Sequence, residues 1–128
     1  MLAIAIPTVS GLNEKWRLEE AAWRLASDMR LARQLAITTG KNTRFEFRWQ
    51  ANDYRMFLPV EKTTVKLPEG ISYTHTSFTL VGGVCGFSIS SLGAPSPAGT
   101  VGFKNRRGGK LYVIIAPATG RVRVSPEP

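Results

Sequence analysis

Residues 18–40 read LEEAAWRLASDMRLARQLAITTG, and the spacing of the apolar side chains in this stretch decides the fold. These side chains recur every three or four residues, which is the repeat of one face of an α-helix. No proline or glycine interrupts the chain from Leu12 to Thr39, and Gly40 begins a typical helix end, GKN. The pattern predicts a helix of about 25 residues that buries one of its faces.

The chain after Gly40 has the pattern of antiparallel strands. TRFEFRW (43–49) alternates aromatic and charged side chains, and the turn QAND connects it to YRMFL (54–58) as a hairpin. Further strands are predicted at ISYT (71–74), FTLV (78–81) and GFSIS (86–90), then a loop at 91–99 and a meander of TVGFK (100–104), KLYVIIA (110–116) and RVRV (121–124). One long helix followed by such strands predicts an α+β fold, with the helix packed by its apolar face on antiparallel β-sheet.

The composition indicates a folded domain with an anionic partner. The chain has 128 residues, which is enough for one domain with its own hydrophobic core. Lys and Arg number 17 against nine Asp and Glu, a net charge of +8 that favours nucleic acid, lipid headgroups or an acidic protein surface. Much of this charge follows Phe103, where six basic residues face a single acid, Glu127. No apolar run approaches the roughly 20 residues that cross a bilayer.

The sequence offers few groups for catalysis. His75 is the only histidine, has no acidic residue at a telling spacing, and is predicted to be a surface strand residue. Cys85 lies in the apolar stretch GGVCGFS, which favours a buried, inert thiol, and a single cysteine cannot form an intrachain disulfide. Clusters of metal-ligating residues and glycine-rich nucleotide loops are not found. We therefore predict a protein without catalytic residues, cofactor or metal.

Five motifs point to a known family: AIAIP (3–7), LASDMRLARQLAITTGKNTRFEF (25–47), LPEGI (67–71), GTVGF (99–103) and ATGRVRV (118–124). With the order of helix and strands, they resemble the type IV pilin-like proteins, in particular the minor pseudopilins of the GspH/FimT family. The resemblance extends over nearly the whole chain. It implies a pilin-like fold in which residues 1–40 belong to the N-terminal pilin helix and residues 41–128 form the β domain, together one globular domain.

The resemblance also explains the apolar start, MLAIAIP (1–7). Members of the family begin with a cleavable leader and a hydrophobic helix that holds them in the inner membrane, and residues 1–7 resemble the last turns of that helix. We expect the rest to have been removed, with Met1 as a new start. The leader site and the early acidic residue of the family are not in this sequence, so no residue here is assigned to anchoring. The alternative is that residues 1–7 form an edge strand or a disordered end.

Two tryptophans lie on the side of the predicted helix that faces away from its apolar face. A step of about 100° per residue places Trp16 and Trp23 roughly 160° from the side chains that define the core face. In a pilus-like fibre, such an outward stripe becomes a contact between subunits, so we predict Leu12, Trp16 and Trp23 as assembly contacts. The alternatives are that loops of the sheet cover the stripe or that these three side chains pack on one another.

The basic C-terminal region suggests a phosphate-binding surface. Strand alternation places Arg121 and Arg123 on one face and Val122 and Val124 on the core side. The hairpin KNRRGGK (104–110) at one end of the same sheet supplies the surrounding basic residues Lys104, Arg106, Arg107 and Lys110. A cluster of four to six such cations would bind phosphates in a strongly salt-dependent manner.

DNA is the partner that the resemblance suggests for this surface. Some members of the family that serve DNA uptake bind DNA through a C-terminal Gly-Arg-x-Arg stretch, which residues 120–123 match. Tyr112 and Ile114 would share the arginine-bearing face if it is the outer one, where Tyr112 offers a ring for stacking on a base. The alternative is a basic face that is simply solvated or contacts another subunit.

The favoured function is that of a non-enzymatic minor pseudopilin. As the resemblance implies, it would be a structural subunit of a type II secretion pseudopilus or type IV pilus, with other pilins as partners. The missing N-terminal segment would anchor it in the inner membrane before it joins a periplasmic or cell-surface filament. The alternative is a DNA-binding minor pilin for DNA uptake. A third hypothesis is a small intracellular nucleic-acid-binding domain unrelated to pili.

Overall fold

The computed structural model describes residues 2–117 and 119–128, with side chains described from residue 13 onward. One helix, α1, extends over Leu2–Thr39. It ends where predicted, since Gly40 has a φ of 71° and its N–H donates to the Ala36 carbonyl oxygen at 3.0 Å. A residue without a Cβ adopts this left-handed geometry without strain.

The helix begins earlier than its apolar repeat suggests. Residues 2–11 continue it without a break, so the alternative of an edge strand at residues 1–7 is wrong for residues 2–7. Met1 lies outside the described residues. That this stretch is the remnant of a membrane helix stays a prediction. Within the described part of the chain, no helix combines the length and apolarity needed to cross a bilayer.

In the part of the chain that is described, nine antiparallel strands follow the helix and form two sheets. They are β1 (Thr43–Arg48), β2 (Asp53–Phe57), β3 (Lys62–Lys66), β4 (Ser72–Thr76), β5 (Val84–Ile89), β6 (Pro95–Ser96), β7 (Gly99–Lys104), β8 (Lys110–Ile115) and β9 (Val122–Ser125). The first sheet has the order β3-β2-β1-β5-β6, and the second has the order β4-β7-β8-β9. The predicted α+β fold, the hairpin of β1 and β2 and the C-terminal meander are confirmed.

Three segments differ from the prediction. The strand expected at 78–81 is wrong, because only an isolated bridge between Val81 and Val84 forms there and Leu80 and Val81 are exposed. The strands β3 and β6 were not predicted. Both are edge strands that pair on one side only, β3 with β2 and β6 with β5.

One hydrophobic core joins the helix to both sheets. The helix contributes the predicted face, Leu18, Ala21, Ala22, Leu25, Met29, Ala32 and Ala36, all of which are buried. The sheets contribute a cluster of aromatic rings in which Phe45 stacks on Phe87 and Phe87 on Phe78, each pair with centroids 5.2 Å apart. Because small alanines line much of the helix face, these rings and the helix backbone can approach closely.

Candidate functional site

The outward side of α1 carries the large apolar side chains that the core leaves in solvent. Trp16 is 63% exposed and Trp23 is 50% exposed, and Leu31 and Ile37 are exposed as well. At about 100° per residue, these four side chains lie within a sector of about 120° opposite the buried Leu25. We call them the outer helix face. Leu31 and Ile37 were not predicted, because the outward stripe was inferred from the positions of the two tryptophans at the start of the helix.

The predicted exposure of both tryptophans is confirmed. Loops of the sheet do not cover them, which removes that alternative. The side chain of Leu12 lies outside the described residues, so its packing on the tryptophans is not described. The role of Leu12, Trp16 and Trp23 as assembly contacts stays a prediction.

A buried polar link fixes which side of the helix faces outward. The carboxyl of Asp28 is buried on the sheet side, where Tyr54 Oη donates to Asp28 Oδ2 at 2.5 Å and Arg24 Nε donates to the same oxygen at 3.2 Å. Burial raises the pKa of the Tyr54 hydroxyl, and the hydrogen bond to Asp28 raises it further, so the tyrosine keeps its proton. Loss of the hydrogen-bond partners of a buried carboxyl lowers the stability of the fold. This link therefore opposes rotation of the helix about its axis.

The six predicted phosphate contacts divide into two groups along β8. Lys104, Arg106, Arg107 and Lys110 surround the turn between β7 and β8, whereas Arg121 and Arg123 lie at the opposite end of β8. At 3.3 Å per residue, Arg121, which pairs with Ala116, lies about 20 Å along β8 from Lys110, and Arg123, which pairs with Ile114, lies about 13 Å from it. All six residues are exposed, and the register places Lys104, Lys110 and Arg123 on one face of the sheet, so their role as phosphate contacts stays a prediction.

The hairpin between β7 and β8 already makes polar contacts with other parts of the chain. The backbone N–H of Arg106 donates to Glu14 Oε2 at 3.4 Å, and Arg106 Nη2 lies 3.6 Å from Glu69 Oε1. Asn105 Nδ2 donates to the Glu14 carbonyl oxygen at 3.4 Å. This hairpin therefore docks on α1 beside acidic residues, which weakens its attraction for an anion.

Arg121, just before β9, and Arg123, within it, are arranged as the strand alternation predicts. Val122 and Val124 pack against the core, and Arg121 and Arg123 are exposed. None of the ion pairs among the described residues involves either arginine.

Tyr112 does not have the role expected of it. Ile114 pairs with Arg123, so Tyr112 and Ile114 do share the face of the arginines. Tyr112, however, is only 8% exposed, because its ring lies over Gly102 and edge-on to His75, with centroids 5.8 Å apart. A ring covered in this way cannot stack on a base, so that part of the prediction is wrong.

Two further arginines, from α1, lie beside Arg121. Arg30 Nη2 donates to the Val122 carbonyl oxygen at 3.0 Å, and Arg33 Nε donates to the Gly93 carbonyl oxygen at 3.2 Å. The three guanidinium groups border a groove of about 360 Å³, which we call the arginine groove and which is lined by Arg30, Arg33, Gln34, Gly120, Arg121 and Val122. Sequence reasoning missed it because the helix and the turn are about 90 residues apart along the chain.

A second groove lies directly beside the arginine groove. It has a volume of about 390 Å³ and is lined by Ile114, Ala116 and residues 121–123. Arg121 and Val122 border both grooves, so the two form a continuous depression with an apolar floor on one side and guanidinium groups along it.

Groups suited to catalysis are not assembled elsewhere in the described residues. His75 is half-buried in β4 against Tyr112. Cys85 is buried as predicted, and burial raises the pKa of its thiol, which lowers its reactivity. No group of three or more His, Cys, Asp or Glu side chains converges on a metal site in the part of the chain that is described.

Comparison with known proteins gives the family. The sequence profile of a family described as "Type II transport protein GspH" matches residues 21–125. The chain belongs to the GspH family. The matched region includes the core face of α1 from Ala21 onward, the nine strands given above, Trp23 and every residue that lines the arginine groove, whereas Leu18 and Trp16 precede it. No match to the chain occurs among curated protein sequences.

The fold is similar to those of solved pilin-like proteins. The minor pseudopilin EpsH from the type 2 secretion system of Vibrio cholerae superposes with a TM-score of 0.68 at 13% identity, over 85% of this chain and 96% of that chain. The type IV minor pilin FimU of Pseudomonas aeruginosa superposes with a TM-score of 0.64 at 15% identity, over 91% of this chain and 92% of that chain. At such low identity the likeness establishes that this GspH-family chain has a pilin-like fold, as predicted.

Proposed function

We propose that this GspH-family chain is a structural subunit of a type II secretion pseudopilus or a type IV pilus, and that it joins other pilins through the outer helix face. The observation that carries the proposal is the exposure of Trp16 and Trp23 on a helix whose opposite face is fully buried. Its family supports the proposal, as does its fold, which resembles a minor pseudopilin and a minor pilin.

Burial of the outer helix face supplies a driving force for assembly. Transfer of a large apolar side chain from water to a packed interface contributes about 1.5–3 kcal/mol. Trp16 and Trp23 are separated by seven residues, which is two helical turns and about 10 Å along the axis. Both rings can therefore contact the same neighbouring helix.

We also propose that the subunit is anchored in the inner membrane by a hydrophobic segment before it enters a periplasmic or cell-surface filament. The support is the family resemblance and the continuation of α1 through the apolar residues 2–7. Expression from the complete reading frame in the native host should place the protein in the inner-membrane fraction. Recovery only from the cytoplasmic fraction would contradict this part of the proposal.

The assembly proposal is tested by removing the aromatic side chains in the native host. Replacement of both Trp16 and Trp23 by Ser should reduce the amount of the protein in sheared filaments at least tenfold, while its total cellular level stays the same. Val60 and Val81 are exposed apolar residues in loops between strands, so Val60→Ser with Val81→Ser is the matched control and should assemble normally. Equal incorporation of both variants would overturn the proposal.

DNA binding is a second candidate, favoured by the continuous depression along which Arg121 and Arg123 are exposed. Arg121→Ala with Arg123→Ala should weaken the binding of duplex DNA at least tenfold in a mobility-shift assay at low salt. The matched control is Arg106→Ala with Arg107→Ala, which removes the same charge at the other end of the sheet and should have a smaller effect. If the wild type produces no shift at low salt, or both double variants bind like the wild type, the candidate is excluded.

A further inference from the structure

We propose that the arginine groove is a phosphate-binding site, in which Arg30, Arg33 and Arg121 hold the phosphate oxygens. The phosphate is either a free phosphate ion or a phosphodiester of DNA, and the groove chemistry is the same for both. Phosphate binding at this site does not depend on filament assembly. The site differs from the DNA candidate above because two helix arginines outside the Gly-Arg-x-Arg stretch take part in the binding.

The two helix arginines of the groove are already held in place. Arg33 is fixed by its bond from Nε to the Gly93 carbonyl oxygen, and Arg30 by its bond from Nη2 to the Val122 carbonyl oxygen. A guanidinium carries five N–H donors, so each of these bonds uses one donor and leaves the others for a ligand. Side chains held in this way lose less conformational entropy when an anion binds.

The turn that precedes β9 fits closely against Arg33. Gly120 is buried with a φ of 66°, and a Cβ placed on it would lie 2.5 Å from the Gly93 carbonyl oxygen and 2.8 Å from Arg33 Nε. Only glycine fits this position, both for its backbone conformation and for the space available. The turn thereby brings Arg121 next to Arg33.

The arginine groove is positively charged. Its lining includes three arginines and, among the described residues, no acidic side chain. Each ion pair of the described residues lies elsewhere, and none involves Arg30, Arg33 or Arg121. Three positive charges around one groove repel each other, and a bound anion relieves that repulsion. A phosphate has more oxygen acceptors than a carboxylate and suits three guanidinium groups better.

The direct test is a titration with inorganic phosphate at constant ionic strength, followed by NMR of the arginine Nε–Hε groups. The resonances of Arg30, Arg33 and Arg121 should shift together and saturate, while those of Arg106 and Arg107 should not. Arg30→Gln should weaken phosphate binding at least tenfold. Arg107→Gln removes the same charge from the hairpin and is the matched control.

Arg33→Gln is a second variant. Because Arg33 packs against the turn, circular dichroism must first show that this variant folds. Because Arg30 is exposed, Arg30→Gln should fold normally, and it can be measured even if Arg33→Gln does not fold. Equal shifts at all arginines, or equal weakening by Arg30→Gln and Arg107→Gln, would show only general charge attraction and would overturn the inference.

A titration with duplex DNA distinguishes the source of the phosphate. If Arg30→Gln weakens both phosphate and DNA, the phosphodiester occupies the arginine groove. If phosphate binds at the groove and DNA does not bind, the site binds free phosphate, and only the DNA candidate is excluded. If phosphate does not bind at the groove, the inference is wrong even where Arg123→Gln abolishes DNA binding.

Discussion

At the scale of single residues, Tyr54 and Asp28 decide the orientation of the helix. The hydroxyl of Tyr54 reaches from β2 to a carboxyl that the core would otherwise leave with only Arg24 as partner. The sequence does not predict this pair, because Asp28 lies between the apolar positions of the helix and looks like an ordinary polar residue. By contrast, the burial of Cys85 and the exposure of both tryptophans were predictable from the residues around them.

Removal of the Tyr54 hydroxyl should destabilise the fold. In Tyr54→Phe the buried Asp28 carboxyl loses a hydrogen bond, and we expect the free energy of unfolding to fall by about 1–3 kcal/mol. Urea denaturation measures it. Tyr112→Phe is the matched control, because Tyr112 is also buried but its hydroxyl makes no hydrogen bond to the described residues; its change should be much smaller. Equal losses in the two variants would contradict this account of the Asp28 link.

The same tyrosine makes stability depend on alkaline pH. In the unfolded chain a tyrosine loses its proton at a pKa of about 10, whereas burial raises the pKa of Tyr54 in the folded protein. Above about pH 10, the folded state therefore holds more protons than the unfolded state, and the free energy of unfolding falls as the pH rises. Below that pH the contribution of Tyr54 to the free energy of unfolding is fully retained.

Tyr54→Phe should make this alkaline decline shallower by up to about 1.4 kcal/mol per pH unit. Burial also raises the pKa of Tyr73 and Cys85, but these groups titrate in both proteins, so the difference isolates Tyr54. Urea denaturation at several pH values around 10 and 11 measures both slopes. Parallel declines in the wild type and the variant would show that Tyr54 ionises as easily in the folded state as in the unfolded state.

At the scale of elements, the helix was predictable and the edge strands were not. A 3.6-residue repeat of apolar side chains belongs to the helix itself, so its core face could be read without knowing its partners. The strand β3 has the sequence KTTVK, with a single large apolar residue. It forms because β2 provides backbone hydrogen-bond partners along its length. The apolar run 78–81 lacks such a ladder and buries only Phe78 of its large side chains.

The small residues of α1 set its distance from the sheets. Ala26 is fully buried, so Ala26→Leu should overpack the core and lower the free energy of unfolding by about 1–3 kcal/mol. Ser27 is the next residue and is exposed, so Ser27→Leu should change stability by no more than about 0.5 kcal/mol. Thermal or urea denaturation compares the two. A tolerated leucine at position 26 would mean that the contact between helix and sheet is loose.

At the scale of the whole molecule, charge clusters depend on topology more than on position in the sequence. The hairpin arginines are close in the sequence to Arg121 and Arg123, yet the length of β8 separates them from those two residues. Arg30 and Arg33 are distant in the sequence, yet the helix brings them to Arg121. The strand alternation therefore predicted which way Arg121 and Arg123 face, but only the register of the meander reveals their neighbours.

The central claim is that the outer helix face contacts another subunit in a filament. Its most direct test is photo-cross-linking in the native host, with a benzophenone amino acid at position 23 and, as a control, at position 60 in the exposed loop between β2 and β3. We predict that position 23 forms covalent adducts with another pilin in sheared filaments and that position 60 forms few or none. Filaments that contain the protein but yield adducts from position 60 and none from position 23 would contradict the claim.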